Sequence, residues 1–176
     1  MPLLDASRSR LLVIDMQARL MPAIAQGEAV LRNVDRLMQA AAMLEIPALL
    51  TEQSPAKLGE TVPALAGRGP VVAKTSFDCC GKPDFLNAVS ADEDLIVCGC
   101  EAHVCVGQTV LSLLGLKRRV VVVADAVGSR APESRRIALE RMARDGAEIV
   151  TTEMVVFEWL RSADHPRFRE VSRLIR

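Results

Sequence analysis

Three groups suited to acyl-transfer chemistry stand at matching places in this 176-residue sequence: the carboxylate of Asp15, the ammonium of Lys74 and the thiol of Cys105. Each follows a short apolar run. Arg10 to Ile14 reads Arg-Leu-Leu-Val-Ile and leads into Asp15-Met16-Gln17; Val71-Val72-Ala73 leads into Lys74; Leu95 to Cys98 leads through Gly99 to Cys105. Such a trio has a coherent chemistry. The carboxylate takes the thiol proton and returns it to a leaving group. The ammonium keeps that carboxylate charged and in place. The thiolate attacks a carbonyl carbon and forms an acyl-enzyme. Plainer readings stay open: a buried structural cysteine, an acid in a loop or at an N-cap, and a solvated lysine.

The elements that would carry these groups alternate in kind. After Cys105 the apolar spacing changes period, because Val106, Val110, Leu113 and Leu114 fall at i, i+4, i+7 and i+8, the stripe of an amphipathic helix. Cys105 is therefore expected where a strand hands over to a helix. N–H groups there are unpaired and partly positive. They are expected to lower the thiol pKa and to hold an oxyanion, as in a strand–turn–helix nucleophile elbow.

Further strands are expected at Pro47 to Leu50, followed by Thr51-Glu52-Gln53, at Arg119 to Ala124, ending at Asp125, and at Glu148 to Val150. Helices are expected from Ala29 to Leu44, Asp84 to Val89, Pro132 to Asp145 and from a Thr152 cap to Leu160, with a last one starting at His165-Pro166. Ser54 to Gly69 reads as a surface loop with one helical turn around Val62 to Ala66, of a length that often serves binding. Strands alternating with helices specify an α/β fold: about six strands in a mostly parallel sheet, helices on both faces in three layers, one domain over 1–176. In such sheets ligands bind at the carboxyl ends of the strands, near the point where strand order reverses.

Composition narrows the partners. Lys plus Arg and Asp plus Glu are 22 each, so the net charge is zero, and aromatics make up 3%. That balance argues against a nucleic-acid or anionic-membrane partner. An odd count of five cysteines and no signal-peptide pattern favour a cytoplasmic location.

Three segments carry a resemblance. Val13-Ile14-Asp15-Met16-Gln17, Ala73-Lys74-Thr75-Ser76-Phe77 and Gly99-Cys100-Glu101-Ala102-His103-Val104-Cys105-Val106 resemble, in order, the signatures of the isochorismatase-like cysteine hydrolases. Thr51-Glu52-Gln53, Leu58 to Val62, Ala124 to Arg130 and Asp164 to Phe168 are similar to the subgroup of isochorismatase-domain-containing proteins. The resemblance implies a Rossmann-like parallel sheet, a Cys–Asp–Lys triad at Cys105, Asp15 and Lys74, and a non-proline cis peptide at Cys100–Glu101. The metal-binding branch of the family uses an Asp and two His after the second strand. Here Glu52 and Gln53 stand there, and the only histidines are His103 and His165. No metal and no cofactor are expected.

Gln17, Gln53, Phe77, Glu101, Ala102 and His103 lie close enough to these strand ends to contact a substrate. Trp159 and Phe157 read as core, with a dimer surface as the sharper alternative, and a homo-oligomer is expected. The leading expectation is a hydrolase of a small amide or related C–N bond. A non-catalytic small-molecule-binding or scaffold protein on the same fold is the alternative. A thiol-redox protein pairing Cys105 with Cys98 or Cys100 is a third, disfavoured by the lack of a Cys-x-x-Cys.

Overall fold

The computed structural model describes residues 3–176; Met1 and Pro2, part of the 1–176 domain expectation, lie outside the described residues. Six strands form one sheet in the order β3-β2-β1-β4-β5-β6. They are β1 (Ser9–Ile14), β2 (Ala48–Gln53), β3 (Val71–Lys74), β4 (Asp94–Cys100), β5 (Val120–Gly128) and β6 (Glu148–Val150). All five pairings are parallel. The order steps outward from β1 to β3, then restarts at β4 on the other side of β1. The switch point thus falls between the two strands that carry Asp15 and Cys105.

Alternation along each strand sends neighbours to opposite faces. Leu11, Val13, Ile96 and Cys98 pack with helices α1 (Gly27–Met43), α6 (Thr152–Leu160) and α7 (Phe168–Val171). Leu12, Ile14, Leu95 and Val97 pack with α3 (Pro83–Ala88), α4 (Gly107–Gly115) and α5 (Pro132–Arg144). Strand residues buried on both faces explain the near-continuous apolar runs. Trp159 is core, 2% exposed, with its indole N–H donating to Ser9 Oγ at 2.9 Å. Phe157 is 43% exposed.

Several boundaries differ from the sequence expectation. β2 continues through Gln53 and β5 through Gly128, because pairing with β3 and β4 extends both beyond their apolar runs. Thr151, not Thr152, caps α6, its hydroxyl accepting from Met154 N; the Thr152 hydroxyl donates to Asp125 Oδ1 instead. The last helix starts at Phe168, after the turn at His165. The 54–69 segment contains the expected turn (Ala66 N to Val62 O, 3.1 Å) and also a short helix, α2 (Pro55–Leu58). It is stitched to the chain after β1 by Ala18 N to Glu60 O, Arg19 N to Leu58 O and Val62 N to Met16 O, each 2.9 Å.

Candidate active site

Asp15 directly follows β1, and its φ of 50° is left-handed. That conformation is uncommon outside glycine but is tolerated best by Asp and Asn. It turns the carboxylate off the strand end toward the crevice. Lys74 ends β3, in register with Gln53 of β2. Lys74 Nζ lies 2.7 Å from Asp15 Oδ2, and neither side chain is exposed to solvent. The ammonium also donates to Gln53 Oε1 at 3.1 Å and to the carbonyls of Ser76 and Phe77 at 3.3 and 3.2 Å. Burial works against its charge, but the Asp15 carboxylate outweighs that, and the pKa is raised above the ordinary 10.5. Lys74 is therefore a fixed cation at neutral pH.

The nucleophile candidate comes from the strand next to β1. Gly99 has φ +115°, and a Cβ there would meet Ile14 O at 2.1 Å. Only glycine lets β4 come this close to β1 just before Asp15. The Cys100–Glu101 peptide is cis, as the resemblance implied. The chain then makes a π-helical turn, Ala102–Val106, marked by Val106 N to Glu101 O at 3.2 Å, before α4 begins at Gly107. Cys105 thus sits within that turn, not at the first residue of the α-helix. Such turns recur at functional sites because they re-aim side chains. The thiol is 6% exposed and feels the charges of both Asp15 and Lys74.

The expected lowering of the Cys105 pKa is not found. Burial pushes the thiol up, the negative charge of Asp15 adds to this, and Lys74 only partly opposes it. The resting thiol is neutral. A thiol in that state becomes a nucleophile only by passing its proton to a base.

The other site candidates divide by what they touch. Gln17 is fully buried; its amide donates to Gln53 O (3.1 Å) and Gly59 O (2.5 Å) and accepts from Gln53 N (2.8 Å). With those groups taken up, Gln17 pins the 54–62 segment rather than facing a ligand. Gln53 holds Lys74 through Oε1, while its Nε2 donates to Thr75 O at 2.8 Å. Glu101, 7% exposed, accepts from Arg130 N at 2.9 Å and from Arg130 Nε at 3.1 Å. Ala102 is fully buried, and a Cβ at Gly107 would meet its carbonyl at 2.8 Å. His103 is exposed, with Nδ1 3.0 Å from Ser129 Oγ. Phe77 is 51% exposed beside the carbonyl that Lys74 contacts.

Thr51, which the sequence marks as part of a resembling segment but not as a site residue, also reaches the trio. Its hydroxyl donates to Asp15 Oδ1 at 2.7 Å. All five cysteines are free. Cys98 and Cys100 pack on the α1 face, away from Cys105 on the α4 face, so neither is placed to pair with it. Cys79, by contrast, lies on the α4 face, 3.9 Å from Thr51 Oγ1. A groove of about 310 Å³ between α4 and α5 is lined by His103, Leu111 and Ile137 among others, and by no member of the Asp15–Lys74–Cys105 trio. Among the described residues no group of three or more His, Cys, Asp or Glu is arranged to hold a metal ion, and no helix is long and apolar enough to cross a membrane.

A family model described as Isochorismatase domain matches residues 9–154. Isochorismatase domain-containing protein 2 of Danio rerio is 39% identical over 175 residues, covering 98% of this chain and 89% of that protein. A Caenorhabditis elegans structure described as MAR1 ribonuclease superposes with a TM-score of 0.94 at 36% identity, covering 99% of this chain and 92% of the other. Two YcaC structures superpose with TM-scores of 0.88. That of Pseudomonas aeruginosa, 28% identical, covers 98% of this chain and 95% of its own and is described with covalent acrylamide. That of Escherichia coli, 27% identical, covers 98% and 96% and is described as an octameric hydrolase of unknown specificity.

Proposed function

This chain belongs to the isochorismatase family, and from that premise we propose that it is a cysteine hydrolase of a small amide or related C–N bond. We read 1–176 as one domain with Cys105 as nucleophile, Asp15 as acid–base and Lys74 as the fixed cation. The observation that carries this reading is the fully buried Lys74–Asp15 contact at 2.7 Å, set beside a neutral thiol. A binding or scaffold protein has no use for a desolvated ion pair against a cysteine. Buried charge of this kind is costly to keep and clusters at functional sites.

In the reaction, Asp15 accepts the Cys105 proton as sulfur attacks the carbonyl carbon. N–H groups at the start of the Ala102–Val106 turn face the developing oxyanion. Asp15 then gives that proton to the departing nitrogen as the C–N bond breaks, leaving a thioester. Water, deprotonated by Asp15, releases the acid and restores the thiol. Lys74 stays protonated throughout. The narrow exposure of Cys105 suits a small substrate. Covalent acrylamide, itself a small amide, in a YcaC relative agrees with such a site.

RNA cleavage is the second reading, and its support is the description of the C. elegans relative. The zero net charge gives no electrostatic footprint for a polyanion. We place the protein in the cytoplasm as a homo-oligomer, the latter in keeping with the octameric E. coli relative. It works without metal or other cofactor and without a nucleic-acid or membrane partner.

The test is a panel of small amides, with RNA included, assayed for ammonia or amine release and for strand cleavage. On an accepted amide, enzyme quenched during turnover should carry the acyl mass on the Cys105 peptide, and Cys105→Ser should nearly abolish turnover. Full activity in Cys105→Ala would reject sulfur as the nucleophile.

A further inference from the structure

We propose that Thr51 is a positioning residue of this site, whose hydroxyl fixes the direction and the proton affinity of the Asp15 carboxylate; this rests on the Cys105–Asp15–Lys74 reading above.

Thr51 is 2% exposed and pairs in register with Ile14, the residue before Asp15. A threonine hydroxyl has one hydrogen to give and two lone pairs to receive. Here the receiving side is occupied. Asp15 N–H, which donates to the Thr51 carbonyl at 3.2 Å, also reaches Thr51 Oγ1 at 3.3 Å, and the Cys79 thiol reaches that oxygen at 3.9 Å. Burial pushes the Cys79 thiol up to about 11, so at neutral pH it is S–H and donates. Cys79 is itself held from α4, its N–H donating to Thr109 Oγ1 at 3.0 Å. With both lone pairs engaged, the single hydroxyl hydrogen is left for Asp15 Oδ1, at 2.7 Å.

Thr51 therefore grips Asp15 at two points, the backbone N–H and one carboxylate oxygen. Lys74 grips the other oxygen. A carboxylate tied at Oδ1 and Oδ2 cannot rotate without losing a donor, and each oxygen keeps a further lone pair free to take a proton. Each donor also stabilises the charged form. Without the Thr51 donor the charged carboxylate loses one of its two side-chain donors, and the acid limb of Cys105 reactivity moves to higher pH.

Cys105 alkylation reads this without a known substrate. Wild type, Thr51→Val, Thr51→Ser and Asp15→Asn are treated briefly with iodoacetamide from acid to mildly alkaline pH, and the Cys105 peptide is quantified by mass spectrometry. Circular dichroism establishes that each variant is folded. The low-pH limb of the rate profile should move up by about one pH unit in Thr51→Val, the size expected for one hydrogen bond to a carboxylate. It should stay in place in Thr51→Ser and vanish in Asp15→Asn. A Thr51→Val profile that overlays wild type, while Asp15→Asn loses the limb, overturns the role of Thr51 and leaves the triad standing. An Asp15→Asn profile that overlays wild type rejects Asp15 as the base, and this proposal with it. If Thr51→Val does not fold, Thr51→Ser decides: a limb displaced although the hydroxyl is retained also overturns the proposal.

Discussion

The Lys74 ammonium and the Asp15 carboxylate meet at 2.7 Å with neither side chain touching solvent. A pair removed from water this completely is stable only as a pair.

Breaking it from one side should therefore be severe. Lys74→Met is expected to cost about 3–5 kcal/mol in urea unfolding, because it leaves an uncompensated buried carboxylate. Lys74→Met combined with Asp15→Asn should cost clearly less than the two single changes summed, since the lone charge is gone. Strict additivity would mean that the two groups do not interact.

The pair also sets a pH window. Lys74 has its pKa raised in the fold, above an ordinary 10.5. Its contribution is thus fully present below about 10.4, the unfolded value, and is lost as pH climbs through the higher folded value. The stability gap between wild type and Lys74→Met should stay constant from neutral to moderately alkaline pH and close only beyond that. A gap that closes near neutrality would show that Lys74 is not held as a cation.

Thiol reactivity should follow access to a base rather than a resting thiolate. Burial pushes Cys79 up to about 11 and Cys80 and Cys100 up to about 12, while Cys98 is fully buried. Cys105 and Cys80 each have a carboxylate nearby, Asp15 and Asp78, but of these two acids Asp15 is the one paired with a buried lysine. Near neutral pH, brief treatment with iodoacetamide should label Cys105 ahead of the other four, and Asp15→Asn should remove that preference. Equal labelling of all five thiols would argue against base activation.

Gly99→Ala should prevent normal folding. The new methyl would lie 2.1 Å from Ile14 O, and the residue would still have to adopt φ +115°. A cost of more than about 4 kcal/mol is expected from such backbone overlap, in the exceptional range for one substitution. Soluble, wild-type-like melting of this variant would mean that β1 and β4 can move apart without harm.

The strand ends were legible in the sequence because each is a place where an apolar run stops at a polar group. That logic located Asp15, Lys74 and Cys105, and the structure brings all three to the carboxyl edge near the switch point. It could not reach Thr51, since one hydroxyl at the end of a strand looks like any other until its partner across the sheet is known. The π turn was hidden for a related reason: residues 102–106 carry a side-chain pattern that an α-helix would also accept. The resting state of Cys105 was misread because a helix start is a local feature, whereas burial and the Asp15 charge arise only when distant segments pack. Gln17 illustrates the same limit. It is polar and close to the site, yet its amide closes the 54–62 segment onto the chain after β1.

The strand order divides the chemistry between two halves of the molecule. Asp15, Thr51 and Lys74 lie in the β1–β3 half, and Cys105 lies in the half that begins at β4; in the proposed mechanism the first half supplies the base with its supports and the second supplies the sulfur. The connection between them passes through exposed residues at Ser90, Ala91 and Asp92. On the proposed reading neither half is complete alone: the first holds Cys79 and Cys80 but not Cys105, and the second holds a neutral Cys105 thiol without Asp15. Reactivity is a property of the seam where β4 docks on β1, so an incompletely assembled chain presents only an ordinary cysteine to the small electrophiles around it.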